Sequence, residues 1–189
     1  MSAMTALSNG LAEVGCYDEE LGVLEARLSY LKRNGGLINH IDVTLTNMAV
    51  CYSNLGRREE SLTLRREVYA RTVAHRRPEI DIATMALNLA HGLVATGRYD
   101  EAKSLSREKL PAARRALGND HPLVFKLRGM YAETSLHDQS STRADLDEAV
   151  SVVEDVIQRS QRVCGTAHPE TQNMRDLLKA LKTERSSRA

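Results

Sequence analysis

Apolar side chains recur at helical spacing along most of the chain. Between positions 41 and 55, four of them fall at i, i+3, i+4 and i+7, which is one face of a helix: Leu45, Met48, Ala49 and Tyr52. Similar segments follow at 59–75, 82–96, 100–117, 122–136 and 170–182. In the last of these, charged residues occupy the opposite side. The pattern predicts a series of amphipathic helices without β-strands.

One motif recurs three times at a spacing of 41 residues. The copies are Gly15-Cys16-Tyr17-Asp18-Glu19-Glu20, Gly56-Arg57-Arg58-Glu59-Glu60-Ser61 and Gly97-Arg98-Tyr99-Asp100-Glu101-Ala102. A small residue precedes each glycine by seven positions, at Ser8, Ala49 and Ala90, and Ala132 follows Ala90 by 42 positions. A fixed period of this size indicates stacked helix pairs, each unable to bury its apolar face alone. We expect each unit to contain a helix A, a tight glycine turn and a helix B.

Two connectors share a Gly-x-x-His-Pro core, at 118–122 and 165–169, 47 positions apart. Proline is tolerated in the first helical turn, where its missing N–H has no partner, so we expect the preceding histidine to help start each helix. Residues 137–143 replace the fourth glycine turn and insert about five residues into a surface loop. The helix after Pro169 has no following helix B, which is typical of a terminal capping helix.

These boundaries predict an all-α repeat domain over residues 1–182. Its units are expected at about 1–36, 37–78, 79–120 and 121–167, with a capping helix at 168–182. The polar segment 183–189 is expected to be a disordered tail.

Composition and motif content argue against several classes of protein. The 189-residue chain has a formal net charge of +1, so no global attraction to nucleic acid or acidic membranes is implied. Its three cysteines, Cys16, Cys51 and Cys164, lack the spacing of a zinc site, and no nucleotide-binding or hydrolase motif occurs. We therefore expect no catalytic residues, no metal and no cofactor.

The amino-terminal segment and the uncharged stretches bear on location. The first basic residue is Arg27, whereas a secretory or mitochondrial leader carries positive charge earlier. The longest uncharged stretches, 43–56 and 82–97, are too short to span a bilayer. We expect a soluble, cytoplasmic protein whose thiols remain reduced.

The third unit carries the fullest version of the repeat. It runs from Asn88-Leu89-Ala90 through Gly97-Arg98-Tyr99-Asp100-Glu101-Ala102 to Leu117-Gly118-Asn119-Asp120-His121-Pro122. This unit resembles the tetratricopeptide repeat, and the period of 41–42 residues is similar to the kinesin-light-chain type of that repeat. The resemblance covers about residues 2–182, with a departure where Gly129-Met130 replaces Leu-Asn. It implies a right-handed α-solenoid of antiparallel helix pairs, in which A helices line a concave groove.

Aligned on the glycine turns, the resemblance implies a set of groove positions. They are Thr46, Asn47, Val50, Ser53 and Asn54 in the second unit, Thr84, Asn88, His91 and Ala95 in the third, and Lys126, Met130 and Glu133 in the fourth. Asn47 and Asn88 are the best candidates, because a groove Asn can bond both polar groups of a peptide backbone. The alternative is that each Asn bonds an adjacent helix. The implied function is a monomeric, non-catalytic scaffold or adaptor that binds a peptide segment of a protein partner.

Charge suggests a second hypothesis. Residues 57–77 hold seven Arg against three Glu, a net of +4, while the charged residues of the helix B in the fourth unit give a net of −2. A basic helix could bind RNA or an acidic partner. Interleaved aromatic residues for base stacking are absent, so a solvated outer face with neighbouring Glu and Arg is favoured. The sequence thus favours a protein partner over nucleic acid, with an enzyme as the least favoured class.

Overall fold

The structure is a computed structural model that describes the backbone of residues 2–188 and the side chains of residues 3–188. Within this span it contains nine α-helices and no strand, as predicted. The helices are α1 Ser2–Glu13, α2 Tyr17–Arg33, α3 Ile38–Asn54, α4 Arg58–Ala74, α5 Glu79–Ala95, α6 Tyr99–Leu117, α7 Pro122–His137, α8 Arg143–Cys164 and α9 Pro169–Ser187. None of the helices within 2–188 combines the length and apolarity needed to cross a bilayer.

The helices divide into two compact units, one ending at His75 and the other beginning at Arg76. In unit 1, α1 packs against α2, α2 against α3 and α3 against α4. In unit 2, α5 to α9 pack in the same sequential way, and α5 and α9 also contact α7 directly. The odd-numbered helices of unit 2 therefore form one layer, and α6 and α8 contribute the other.

The predicted glycine turns are present and have nearly identical geometry. Gly15, Gly56 and Gly97 have φ values of 76°, 74° and 75°. After the second of them, the backbone N–H of Arg57 donates to the carbonyl of Tyr52 at 2.8 Å and closes the end of the helix. A residue with a side chain is strained at such a φ, so glycine is the residue that lets the chain reverse direction at each of these turns.

Both His-Pro connectors start a helix through the histidine side chain. Nδ1 of His121 accepts a hydrogen bond from the N–H of Leu123 at 3.1 Å, and Nδ1 of His168 does the same for Glu170 at 3.1 Å. Each proline occupies the first helical turn. The histidines thus satisfy backbone donors that the helix itself leaves without a partner, which confirms the prediction.

The small residues of the repeat register lie at the buried contacts of the helix pairs. Ser8 and Ala49 are 1% exposed, and Ala90 and Ala132 are fully buried. In unit 2 the main core lies among α7, α8 and α9, where Phe125, Val153 and Leu181 are among the buried side chains. Close packing of helices around small side chains therefore defines the register that the sequence pattern indicates.

The carboxyl-terminal segment differs from the expected disordered tail. Helix α9 continues through Ser187, and Arg188 follows it. The Arg188 guanidinium donates to the carbonyls of Ser141 at 2.6 Å and Gln139 at 3.3 Å in the inserted loop. Composition alone suggested fraying, but these bonds and the burial of Leu181 hold the last turns of the helix in place. Ala189 lies outside the described residues.

The inserted loop begins α8 with a capping box. The side chain of Thr142 accepts from the N–H of Asp145, and the Asp145 carboxylate accepts from the Thr142 N–H at 2.9 Å. The Thr142 hydroxyl and the Lys103 ammonium hold the pKa of Asp145 well below its usual range. The loop thus supplies the helix start that a glycine turn supplies in the earlier pairs.

Candidate functional site

An open groove of about 530 Å³ lies in unit 2, between α5, α7 and α9. Its lining residues are Leu87, Asn88 and His91 from α5, Lys126, Gly129, Met130, Glu133, Leu136 and His137 from α7, and Glu170, Asn173, Met174 and Leu177 from α9. The groove exists because the odd-numbered helices lie side by side and turn the same face outwards.

The floor of the groove is apolar and closely packed. Met130 is 2% exposed and Met174 is 8% exposed. A Cβ atom on Gly129 would lie 2.8 Å from Cε of Met174, so the absence of a side chain lets Met174 lie against α7. Methionine adapts its shape readily, and a floor of two methionines can fit apolar side chains of different outlines.

The rim of the groove carries loosely paired charges. Lys126 Nζ lies 3.9 Å from Glu170 Oε2, and His137 Nε2 lies 3.9 Å from Glu133 Oε1. Both separations are near the limit for an ion pair, and pairs between exposed groups contribute little to stability. The exposed side chains of Lys126, Glu133 and His137 can therefore reorient towards a ligand at low cost, whereas the Glu170 side chain is only 11% exposed. The His137 ring also stacks on Tyr99, with centroids 6.3 Å apart.

The structure brings five of the twelve sequence-predicted groove residues together. Asn88, His91, Lys126, Met130 and Glu133 all line the groove of unit 2. Met130 does so as part of the buried floor rather than as an exposed contact.

The other predicted positions lie outside this lining. Thr84 bonds its hydroxyl to the carbonyl of Ile80 in its own helix at 2.6 Å. In unit 1, the Thr46 hydroxyl likewise donates to the carbonyl of Asp42 at 2.8 Å. Five predicted positions remain. Four belong to α3 in unit 1, namely Asn47, Val50, Ser53 and Asn54, and Ala95 is the last residue of α5.

Sequence reasoning missed the wall that α9 contributes. Glu170, Asn173, Met174 and Leu177 line the groove, although the sequence indicated only a capping helix. The connectors carried the signal for this wall, since His168-Pro169 repeats His121-Pro122 and places Asn173 in register with Lys126. A helix that starts as helix A does also presents the groove face of helix A.

The arginine-rich stretch of residues 57–77 is partly neutralised. Arg71 Nε bonds Asp42 Oδ1 of α3 at 2.6 Å, and Arg57 Nε bonds Glu60 at 2.9 Å. These pairs lower the positive field that a polyanion would meet along α4. The stretch keeps a positive excess, reduced from outside by Asp42.

Two observations concern metal binding and thiol reactivity in the described residues. Among residues 2–188, no group of three or more His, Cys, Asp or Glu side chains is placed to hold a metal ion. Burial, followed by a hydrogen bond and charge from Glu20, raises the pKa of the Cys51 thiol to about 12. Such a thiol stays protonated at neutral pH and is a poor nucleophile.

These features define an all-α helical-repeat protein. Its helix pairs repeat with small residues at their contacts and with glycine turns, and a groove runs along one layer. The family model described as "Tetratricopeptide repeat" matches residues 82–123 and 141–170. The two matched segments make up less than half of the chain, and over them the chain is similar to the tetratricopeptide repeat. This repeat fold is generally a non-catalytic scaffold for protein–protein interaction.

Solved structures share this fold at low sequence identity. A variant of the nearly identical TPR-like repeats assigned to a Podosopora anserina kinesin light chain has a TM-score of 0.80 and 18% identity, covering 99% of this chain and 87% of that one. BtubC (BKLC) from P. vanneervenii gives a TM-score of 0.60 at 11% identity, covering 97% and 79%. A Rap protein complexed with Competence and Sporulation Factor gives 0.56 at 16% identity, covering 96% and 52%. No curated protein matches the chain in sequence.

Proposed function

We propose that this chain is a non-catalytic adaptor that binds an extended, partly apolar segment of a protein partner in the α5/α7/α9 groove. The observation that carries the proposal is the pairing of a methionine floor with a rim of amide, imidazole and weakly paired charged groups. An extended peptide needs an apolar contact for affinity and polar groups that match its backbone, and this groove offers both. The Rap neighbour, whose structure contains Competence and Sporulation Factor, supports a ligand-binding role for the fold.

The rim favours backbone recognition over capture of a terminal carboxylate. Lys126 lies close to Glu170, and Glu133 adds a second negative charge nearby. A strong carboxylate clamp requires several convergent cations, whereas Asn88 and Asn173 can each donate and accept with a peptide unit. The three cysteines are free thiols, which suits a cytoplasmic role, and we expect the adaptor to act as a monomer.

The test uses peptides selected from a random display library against the full chain, with affinities measured by calorimetry. We expect the double variant Asn88→Ala/Asn173→Ala to weaken binding about tenfold or more, as for loss of central contacts. Asn119→Ala is the matched control, because Asn119 is exposed in a connector outside the groove, and it should leave affinity unchanged. Asn47→Ala, measured in parallel, reports whether unit 1 contributes.

Selected peptides that bind the double variant as tightly as the original chain would contradict the groove assignment. The second hypothesis, an acidic or RNA partner on α4, predicts instead that binding falls steeply with salt and is lost on Arg58→Ala/Arg66→Ala. The partial neutralisation of that helix by Asp42 and Glu60 makes it the weaker candidate.

A further inference from the structure

A second cavity lies on the other side of α7 from the groove. It has a volume of about 210 Å³ and is lined by Ser106, Arg107, Leu110 and Arg114 from α6, Arg128 and Tyr131 from α7, and Glu148 and Val152 from α8. At 100° per residue, Arg128 and Tyr131 project from the face of α7 opposite Met130 and Glu133. The cavity and the groove therefore share a helix but no lining residue.

Two of the three arginines in this cavity are held in fixed positions. Arg128 is 9% exposed, and its guanidinium donates to Asp155 Oδ2 at 2.5 Å and to the carbonyl of Val152 at 3.4 Å. Arg107 donates to the hydroxyl of Tyr131 at 2.6 Å, with its guanidinium carbon 4.8 Å from the ring centroid. Groups held in this way lose little freedom when they bind an anion.

The third arginine, Arg114, has no carboxylate as an ion-pair partner among the described residues. The nearby carboxylate of Asp155 accepts from both Arg128 and Arg159, and among the described residues no carboxylate forms an ion pair with Arg114. Burial and the like charge of Arg128 lower the pKa of Arg114, and Asp155 offsets this only in part. The cavity wall thus carries an excess of positive charge.

A buried hydroxyl marks the same wall. Ser106 is 1% exposed, and its Oγ has no hydrogen-bond partner among the described residues. A buried polar atom without a partner costs about 1–3 kcal/mol, so such atoms are rare in folded proteins. Ser106 also lines the cavity and adds a hydroxyl to its wall.

One acidic side chain also faces the cavity and limits which ligands fit. Glu148 Oε2 accepts from the Tyr131 hydroxyl at 2.7 Å and lies 3.6 Å from Arg107. It neutralises part of the charge of Arg107 but does not reach Arg114 or Arg128 by any ion pair in the described residues. The attractive end of the cavity is therefore the one that Arg114 and Arg128 form.

We propose that this cavity binds a phosphoryl group, with Arg114 and Arg128 as its principal contacts and Arg107 closing one side. A guanidinium presents several N–H donors in one plane and pairs with phosphate through two of them at once. A phosphoryl group has three free oxygens and carries up to two charges, which matches several convergent guanidinium groups better than one carboxylate does. The apolar side chains of Leu110 and Val152 border the space left for the carrier of the phosphate.

The experiment titrates the isotope-labelled full chain with inorganic phosphate, at fixed pH and ionic strength, and follows amide chemical shifts. We expect saturable shifts confined to residues around Arg114 and Arg128. Arg114→Ala should raise the dissociation constant about tenfold, and Arg114→Lys should raise it by less, because charge is kept but the planar donor pair is lost.

Arg115→Ala is the matched control, since Arg115 is exposed on α6 as Arg114 is but does not line the cavity. It should leave phosphate affinity unchanged. A parallel titration with phosphoserine distinguishes the source: tighter binding than inorganic phosphate assigns a phosphate ester, and weaker binding assigns the free ion. Shifts that do not saturate with either probe, equal losses in Arg114→Ala and Arg115→Ala, or equal affinity for acetate would overturn the proposal.

Discussion

The helix-pair contacts of the two units use the same register but different chemistry. In unit 1, Ser8 Oγ donates to Glu20 Oε1 at 2.9 Å, and Ser61 Oγ donates to the carbonyl of Ala49 at 2.7 Å. In unit 2, the corresponding positions hold alanines, all fully buried: Ala90, Ala102, Ala132 and Ala149. The same close approach of two helices is therefore stabilised by directional hydrogen bonds in one unit and by packing alone in the other.

The polar character of unit 1 extends beyond these two bonds. The carboxylate of Glu20, 5% exposed, also helps to raise the pKa of the buried Cys51 thiol, so one group influences α1, α2 and α3. Unit 2 instead concentrates its core in one apolar cluster between α7, α8 and α9. A buried polar network fixes geometry but is costly when any member is lost, whereas an apolar core is sensitive chiefly to volume. The units should therefore respond differently to the same substitutions.

The largest expected effect comes from removing α9 by ending the chain at His168. Met174 and Leu181 are buried in the core cluster, and Leu177 and Leu178 pack on it. Burying two such side chains contributes roughly 3–6 kcal/mol, a large part of the stability of a small unit. We expect the truncated chain to lose most of its unfolding transition in unit 2 and to oligomerise through the exposed face of α8.

A shorter truncation that ends at Lys182 provides the control for this prediction. It removes Arg188 and its bonds to the inserted loop but keeps Leu181, so only a small fall in melting temperature is expected. Light scattering and thermal melts measure both variants. A chain ending at His168 that remains monomeric with an unchanged melt would show that unit 2 does not depend on this apolar cover.

The second prediction tests volume at the contact of α5 and α6. Ala90 is fully buried, and leucine at this position adds three carbon atoms where the helices have no space for them. We expect Ala90→Leu to lower the free energy of unfolding by about 1–3 kcal/mol. Ala90→Ser is the control, because serine is close in volume and occurs at the equivalent position of the first unit. A leucine variant as stable as the original chain would place Ala90 outside the contact.

Most features of the fold could be predicted from the sequence, and the features that could not be predicted depend on contacts between distant residues. The glycine turns, the histidine caps and the register of small residues were predictable because each depends on a local requirement of backbone or volume. The order in residues 183–187 was not, because it depends on bonds between Arg188 and a loop about fifty positions earlier. Register placed Asn88 and Lys126 on helix A faces, and both line the groove of unit 2, while the α9 wall required recognising that its helix starts like an A helix.

The smallest expected effect comes from exchanging serine and alanine at one motif position that the two units share. Ser61 and Ala102 occupy the same motif position, 41 residues apart. Ser61→Ala removes the bond to the Ala49 carbonyl and leaves Arg65 Nε without its 3.1 Å acceptor. The net worth of one such hydrogen bond is about 0.5–1.5 kcal/mol, so we expect a loss of unfolding free energy within that range.

The reciprocal variant Ala102→Ser decides whether the shared register is also a shared geometry. If α5 and α6 approach each other as α3 and α4 do, the new hydroxyl can donate to the carbonyl of Ala90 as Ser61 does to Ala49. Stability should then change by less than in Ser61→Ala, because the buried hydroxyl has a partner. Denaturant unfolding measures both variants. A loss in Ala102→Ser larger than that in Ser61→Ala would show that the alanine contact of unit 2 is too close for a hydrogen-bonded pair, and that the two units differ in backbone spacing as well as in chemistry.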